Sequence, residues 1–383
     1  MRLEWRSGPT VTARRVALLL MSAALLASCS SAPAAQAPSP TPIATPSPTP
    51  QDYPSPSPSP SPADQLGPGG LTLDQEVGAV MMVGFQGPLS SSVLADWQQR
   101  QFGGLLLING NHNATTASSM TALIASVRGV SHHRLIAATD QEGGYVCLAV
   151  SSVPCAPMPV GQAQTTRMAA ALHALGFDLD LGPVSDVCSG PTSIMWGRCY
   201  GTQPGSVASA VGAVVDGIHA GHMLSAAKHF PDHGNTTVSS EAQLPRINES
   251  LATLQARDWP PFVADISHGV DFVMLGHLWY PALDPHRSAD LSPTTMDKLR
   301  GDLGFNGAIL SDDMEMGAIT ASTPTSEAAV EFLIAGGDMV MIAHHTSVVD
   351  ATYNAIKNAV LSGRLPRSRL DAAVATLQAV PTP

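Results

Sequence analysis

The chain has 383 residues, of which 44% are hydrophobic and only 13% charged, and its formal net charge is −11. The hydrophobic content suffices for a sizeable buried core. The acidic balance, with no basic stripe, excludes nucleic acid as a partner, because phosphate binding needs clustered Lys and Arg.

In chain order, Arg14 and Arg15 precede an apolar stretch from Val16 to Ala27. This stretch is too short and wrongly flanked for a transmembrane helix, and it reads as an export signal. It closes on Leu26-Ala27-Ser28-Cys29, which resembles the lipobox of bacterial lipoproteins. The resemblance implies that residues 1–29 are a signal peptide and that Cys29 is lipidated as the mature N-terminus. The protein would then be exported and lipid-anchored to the outer face of the bacterial cell membrane. The alternative is an ordinary signal peptide that contains a cysteine. Residues 30–70 are a Pro/Ser/Thr tract, including Tyr53-Pro54-Ser55-Pro56-Ser57-Pro58. With almost nothing to bury, the tract is expected to be an extended linker without secondary structure.

From 71 to 383 short apolar runs alternate with longer amphipathic stretches. Candidate strands are Gly78–Phe85, Gly104–Ile108, Leu135–Asp140, Leu179–Pro183, Leu224–His229, Phe272–Leu275, Gly307–Ser311 and Met339–Ile342. Helical patterns lie between them, at Ser206–Ala220, Leu251–Ile266, Thr294–Leu303 and Ser326–Ala335. Eight strands alternating with helices predict an α/β fold, a parallel sheet closed into a (β/α)8 TIM-type barrel, as a single catalytic domain. A doubly wound open sheet is the other option, but no GxGxxG follows the first strand. Beyond Cys29 there are four cysteines. In an exported chain their even number favours two local disulfides, Cys147–Cys155 and Cys188–Cys199, over a metal site, since the spacings match no zinc pattern.

Polar residues gather just after the apolar runs: Asp140-Gln141-Glu142, Lys228-His229, His277 and Asp312. In a barrel these are C-terminal strand ends, where active sites are built. Asp312 follows the run Gly307–Ser311, so a buried strand would deliver a carboxylate to the mouth, as a glycosidase nucleophile requires. Read structurally, Asp312 or Asp313 would cap the next helix.

The motifs Asp140-Gln141-Glu142-Gly143-Gly144, Gly197-Arg198-Cys199-Tyr200-Gly201, Lys228-His229-Phe230-Pro231 and Ile309-Leu310-Ser311-Asp312-Asp313-Met314 carry a resemblance. Together with Gly182-Pro183-Val184-Ser185-Asp186-Val187 and Tyr280-Pro281-Ala282-Leu283-Asp284, they make the chain similar to glycoside hydrolase family 3. The similarity is to the single-domain β-N-acetylglucosaminidase type. It implies that Asp312 forms a glycosyl-enzyme intermediate and that Asp140, Arg198, Lys228 and His229 bind the sugar, with His277 on the rim. It implies neither a metal nor an organic cofactor. The expected partner is a carbohydrate, with the membrane reached through the lipid, and nothing calls for an obligate protein partner.

Three positions depart from the family pattern. Its glycine after Lys-His-Phe-Pro is Asp232, which is either a second candidate acid/base or a residue that holds Lys228 or Arg198. Its arginine after Glu-Gly-Gly is Tyr145. The Asp-Ser-His loop that supplies the acid/base is Ser239-Ser240-Glu241, which makes Glu241 the candidate acid/base. The expected function is therefore retaining, exo-acting removal of terminal β-linked N-acetylglucosamine from cell-wall (peptidoglycan-derived) saccharides. The alternatives are a non-catalytic sugar-binding lipoprotein with a degenerate loop, a β-glycoside phosphorylase, and a β-glucosidase.

Overall fold

The structure is a computed structural model that describes residues 65–383; the signal peptide, Cys29 and the linker up to residue 64 lie outside the described residues. Eight parallel strands close in sequence order into a barrel: β1 Met81–Val83, β2 Gly104–Leu106, β3 Ile136–Thr139, β4 Leu179–Asp180, β5 Leu224–Phe230, β6 Phe272–Leu275, β7 Ala308–Asp313 and β8 Met339–Ile342. Nearly every strand residue is buried. That burial explains why the strands read as continuous apolar runs rather than as alternating ones.

All eight sequence-predicted strands are present, Phe272–Leu275 and Met339–Ile342 with the expected ends and the other six with shifted ends. The first is shorter than Gly78–Phe85 because Gly78 and Ala79 close a helix, Leu73–Ala79. Thr72 and Gln75 start that helix by capping each other's backbone amides. The fourth stops at Asp180, before Pro183, which has no N–H for a ladder. The helical pattern Leu251–Ile266 is divided into Leu251–Thr253, a wide π turn at Leu254–Asp258, and a helix Pro260–Ser267 that opens on two prolines.

Polar residues are not confined to the C-terminal strand ends, as the sequence had suggested. Asp178, Asp271 and Asp338 immediately precede β4, β6 and β8 at the opposite end. Each accepts the backbone N–H of the strand before it, at Ala137 (2.8 Å), Ser225 (3.0 Å) and Ile309 (2.9 Å). Each also meets a cationic or imidazole side chain: Arg128, His219, and for Asp338 both Arg300 and Arg369. These aspartates bind odd strands to even ones at the closed bottom of the barrel, so their role is stability rather than chemistry.

Two register shifts face the other way. The β5–β6 pairing slips between Ala227 and Phe230, and the β7–β8 pairing slips between Leu310 and Asp313. Such irregularities re-aim side chains at a barrel rim. Here they fall on Lys228-His229 and Ser311-Asp312.

Replacing Asp338 with alanine leaves Arg300, Arg369 and the Ile309 amide without their shared acceptor. We expect a loss of about 3–5 kcal/mol in urea unfolding. Truncating the surface pair Arg364–Glu327 should cost only about 0–1 kcal/mol in the same measurement.

Candidate active site

The C-terminal mouth encloses a cavity of about 160 Å³, lined by Asp140, Arg198, Lys228, His229, Glu241 and Asp312 among others. A cavity of about 150 Å³ is enough to take up one six-membered ring. All but one of the sequence-predicted polar site residues face this space.

Lys228, near the end of β5, is buried. Its Nζ lies 2.5 Å from Asp140 Oδ1 and 2.7 Å from Glu142 Oε1. Arg198 grips the same Glu142 with both prongs, Nε to Oε2 at 2.7 Å and Nη2 to Oε1 at 2.6 Å. The ion pair of Arg198 is therefore with Glu142, not with Asp186. Burial alone would push the Glu142 carboxyl up, and Lys228 and Arg198 outweigh it, bringing it down to about 2. Burial likewise works against the proton on Lys228, but Asp140 and Glu142 hold it there. The result is a fixed array of cationic donors beside the partly exposed carboxylate of Asp140, suited to a ring bearing several hydroxyls.

Asp186 organises the histidines instead. Its Oδ2 lies 2.8 Å from His229 Nδ1, while Oδ1 accepts the backbone amides of His229 (3.2 Å) and His233 (2.7 Å). The pairing leaves Nε2 of His229 as the ring nitrogen without a partner among the described residues. His233 lies beside His229, with its Nε2 3.0 Å from Ser240 Oγ. Burial, then repulsion from His229, depresses its pKa to about 4, so it is neutral at physiological pH. Gly234 follows because a Cβ there would lie 2.2 Å from the Val187 carbonyl oxygen.

Asp312 sits at the end of β7. Burial would raise its pKa, but attraction to His229 and His277, the Asp313 amide at 2.9 Å, and Lys228 together hold the carboxyl below its usual range. It is therefore ionised and supplied with fixed counter-charge. Asp313 is the structural neighbour: its Oδ1 accepts the amides of Glu315 (3.1 Å) and Ala343 (3.0 Å), tying β7 to β8.

Two expectations require correction. His277 does not line the cavity. It is fully buried beneath Asp312, with Nδ1 2.9 Å from Asp290 and Nε2 2.9 Å from the Asp313 carbonyl oxygen. Burial opposes its proton, but Asp290 and Asp312 push its pKa up to about 9. With both nitrogens engaged, it steadies Asp312 and has none left for sugar. Asp232 holds neither Lys228 nor Arg198. Its carboxylate accepts the amides of Val187 and Gly234 and the side chain of Asn235, which shapes the loop after β5.

That loop carries Ser239, Ser240 and Glu241. The carbonyl oxygens of Glu241 and Ser240 accept the amides of Gly317 and Ala318 at 2.9 Å each, so the loop is docked on the segment that follows Asp312. A Cβ on Gly317 would lie 2.7 Å from the Glu241 carbonyl oxygen, which is why glycine is required there. The Glu241 side chain is exposed at the rim and makes no side-chain hydrogen bond among the described residues. Partial burial and then the negative charge of Asp312 raise its pKa. His344, which the sequence reading missed, lines the cavity from the end of β8. Its Nδ1 is 2.7 Å from Asn111 Oδ1 and its Nε2 is 3.5 Å from Asp313 Oδ2. The pair His344-His345 just after an apolar run was the available signal.

Both cysteine pairs are joined. Cys147–Cys155 closes the loop after β3 and Cys188–Cys199 the loop that bears Arg198, with Cα–Cα distances of 5.9 and 6.2 Å.

Known proteins are similar to this chain in sequence and fold. Residues 72–380 match the glycosyl hydrolase family 3 N terminal domain. A β-hexosaminidase of Xanthomonas campestris pv. campestris (strain B100) is 30% identical over 312 residues, covering 76% of this chain and 93% of that protein. A solved family 3 β-N-acetylglucosaminidase from Paenibacillus sp. str. FPU-7 is 30% identical with a TM-score of 0.78, over 81% of this chain and 62% of that one. A solved β-N-acetylhexosaminidase from Beutenbergia cavernae DSM 12333 is 27% identical with a TM-score of 0.73, over 81% of this chain and 98% of that one. The chain belongs to glycosyl hydrolase family 3, as a glycoside hydrolase of β-N-acetylhexosaminidase-like kind.

Proposed function

We propose that the protein is a retaining, exo-acting glycosidase that removes terminal β-linked N-acetylglucosamine from cell-wall saccharides. One observation carries the mechanism: two carboxyl groups of one cavity are pushed in opposite directions, Asp312 down and Glu241 up. Divergent carboxyl environments assign nucleophile and acid in a retaining pair. Asp312 attacks the anomeric carbon as the bond to the aglycone oxygen breaks, and Glu241 gives that oxygen its proton. Glu241 then takes a proton from water, whose oxygen displaces Asp312 and restores the starting state. Lys228, Arg198, Asp140 and His229 hold the terminal ring meanwhile. Asp186 positions His229, and Glu142 positions Lys228 and Arg198.

The sugar follows from the relatives, whose names state β-hexosaminidase or β-N-acetylglucosaminidase activity. The cell-wall source follows from the export signal and the lipobox-like Leu26-Ala27-Ser28-Cys29, which would tether the domain outside the membrane. The exposed, unanchored Glu241 side chain favours a second reading, a sugar-binding lipoprotein without turnover, and the experiments below separate the two.

Asp312→Ala should lower turnover of 2,4-dinitrophenyl N-acetyl-β-glucosaminide by about 10⁴-fold or more. Glu241→Gln should keep a dinitrophenol burst, because that leaving group needs no proton, but then stall. On unactivated glycosides the same variant should lose about 10²–10⁴-fold. Sugar binding with no release, unaffected by Asp312→Ala, would favour the binding protein, and release that persists in Asp312→Ala would remove Asp312 as the nucleophile. A Glu241→Gln variant as fast as the parent would remove Glu241 from the mechanism, and turnover that demands inorganic phosphate would mean a phosphorylase.

The pH dependence follows from the same two shifts. Asp312 must be ionised, so its depressed pKa puts the acid limb of kcat/KM below the ordinary aspartate range. Glu241 must be protonated for the first step, so activity on unactivated glycosides should fall as pH rises through its raised pKa. The dinitrophenyl substrate should not show that basic limb in its burst phase. For the tether, Cys29→Ala should move the protein from the membrane fraction to the soluble one on cell fractionation.

A further inference from the structure

We propose that Tyr145 and Trp196 form a stacking platform for the aglycone, and that its ligand is a second β-linked pyranose ring. This inference rests on the glycosidase reading above and adds to it the position and class of the leaving group. Six large apolar side chains are exposed among the described residues, and three of them belong to two loops of the mouth: Tyr145 at 67%, Trp196 at 46% and Ile194 at 39%. Single exposed apolar residues need no explanation, but a cluster beside a site does.

The cluster is continuous with the sugar cavity. Ile194, Met195 and Arg198 line that cavity, and Trp196 lies among them in the chain. The Tyr145 ring lies against Gly197, with its Cε1 3.2 Å from where a Cβ on that glycine would stand, so side chain and loop meet directly. The Trp196 loop also rests on the loop that carries the acid, since the Ser189 and Ile194 amides donate to the Gly234 and Thr236 carbonyl oxygens at 3.0 and 2.9 Å. An aglycone leaving a cavity sized for one ring, with its oxygen near Glu241, would emerge beside these side chains.

Both loops have little regular structure, and each is closed by its own disulfide, Cys147–Cys155 and Cys188–Cys199. A stapled loop loses less freedom when it binds. Tyr and Trp add large, stiff contact areas with only two side-chain torsions each. A β-linked pyranose offers a flat C–H face that suits an aromatic ring, with hydroxyls at its edge for the Tyr145 oxygen and the Trp196 N–H.

The test compares two substrates on the full protein: N,N′-diacetylchitobiose, with a second ring, and 2,2,2-trifluoroethyl N-acetyl-β-glucosaminide, with a small one-branch aglycone. The readout is the ratio of their kcat/KM values. Tyr145→Ala and Trp196→Ala should each lower that ratio about 3- to 10-fold, mainly through KM for the disaccharide, and Tyr145→Phe and Trp196→Phe should largely preserve it. An unaltered ratio in both alanine variants, or equal losses on both substrates as general loop damage would give, overturns the platform. If the parent releases trifluoroethanol in an Asp312-dependent way, the glycosidase reading stands whichever way the ratio falls. If the parent turns over neither substrate, the glycosidase reading and the platform fall together.

Discussion

Lys228 and Glu142 have side chains only 3% and 2% exposed, so neither could remain ionised alone at this depth. Removing a charge from water costs several kcal/mol even after relaxation, and close opposite charges with good hydrogen bonds must repay it. Glu142 meets this condition by receiving three charge-assisted contacts, two from Arg198 and one from Lys228. Its position therefore determines where both cations can be. They in turn leave Asp140 with an oxygen toward the cavity, and Lys228 contributes to the low pKa of Asp312. The mouth is thus a balanced charge network, so one altered member would disturb the rest.

The same residue type does different work at the two ends of the barrel. Asp178, Asp271 and Asp338 spend their oxygens on backbone amides and cationic side chains, and they close the bottom. Asp312 takes one amide, from its own neighbour, and otherwise relies on nearby charge. An aspartate saturated by amides is a fastener. One that is stabilised through space keeps a lone pair to form a bond. His277 links the two ideas: saturated at both nitrogens, it does no binding, yet its charge holds Asp312 in its reactive form.

The barrel was legible because its strands are buried on both faces, which leaves long apolar runs that turn residues delimit. Asp312, Asp140, Arg198 and Lys228 were legible from their places at the ends of those runs. Partners were not. Arg198 goes to Glu142, and Asp232 goes to loop amides, because such choices depend on loop paths that no local pattern encodes. His277 looked like a rim residue because sequence gives its height along β6 but not how deeply it is covered. The aspartates at the bottom of the barrel were missed for a related reason: a single Asp before an apolar run resembles any loop residue until its amide partner on the preceding strand is known.

Glu241 stands where the family resemblance places a histidine, and the physics of the site suits the exchange. After partial burial, the charge of Asp312 is what raises its pKa. In the proposed mechanism that charge is present when Glu241 must hold a proton and disappears once Asp312 is bonded to the sugar. The pKa of Glu241 then falls at the step where the residue must be an anion that accepts a proton from water. A lone carboxyl can thus alternate between acid and base without an Asp–His pair, provided that it stays within range of the nucleophile's charge. The backbone contacts of its loop to Gly317 and Ala318, on the segment that follows Asp312, supply that condition, leaving the side chain itself free to turn toward the aglycone oxygen.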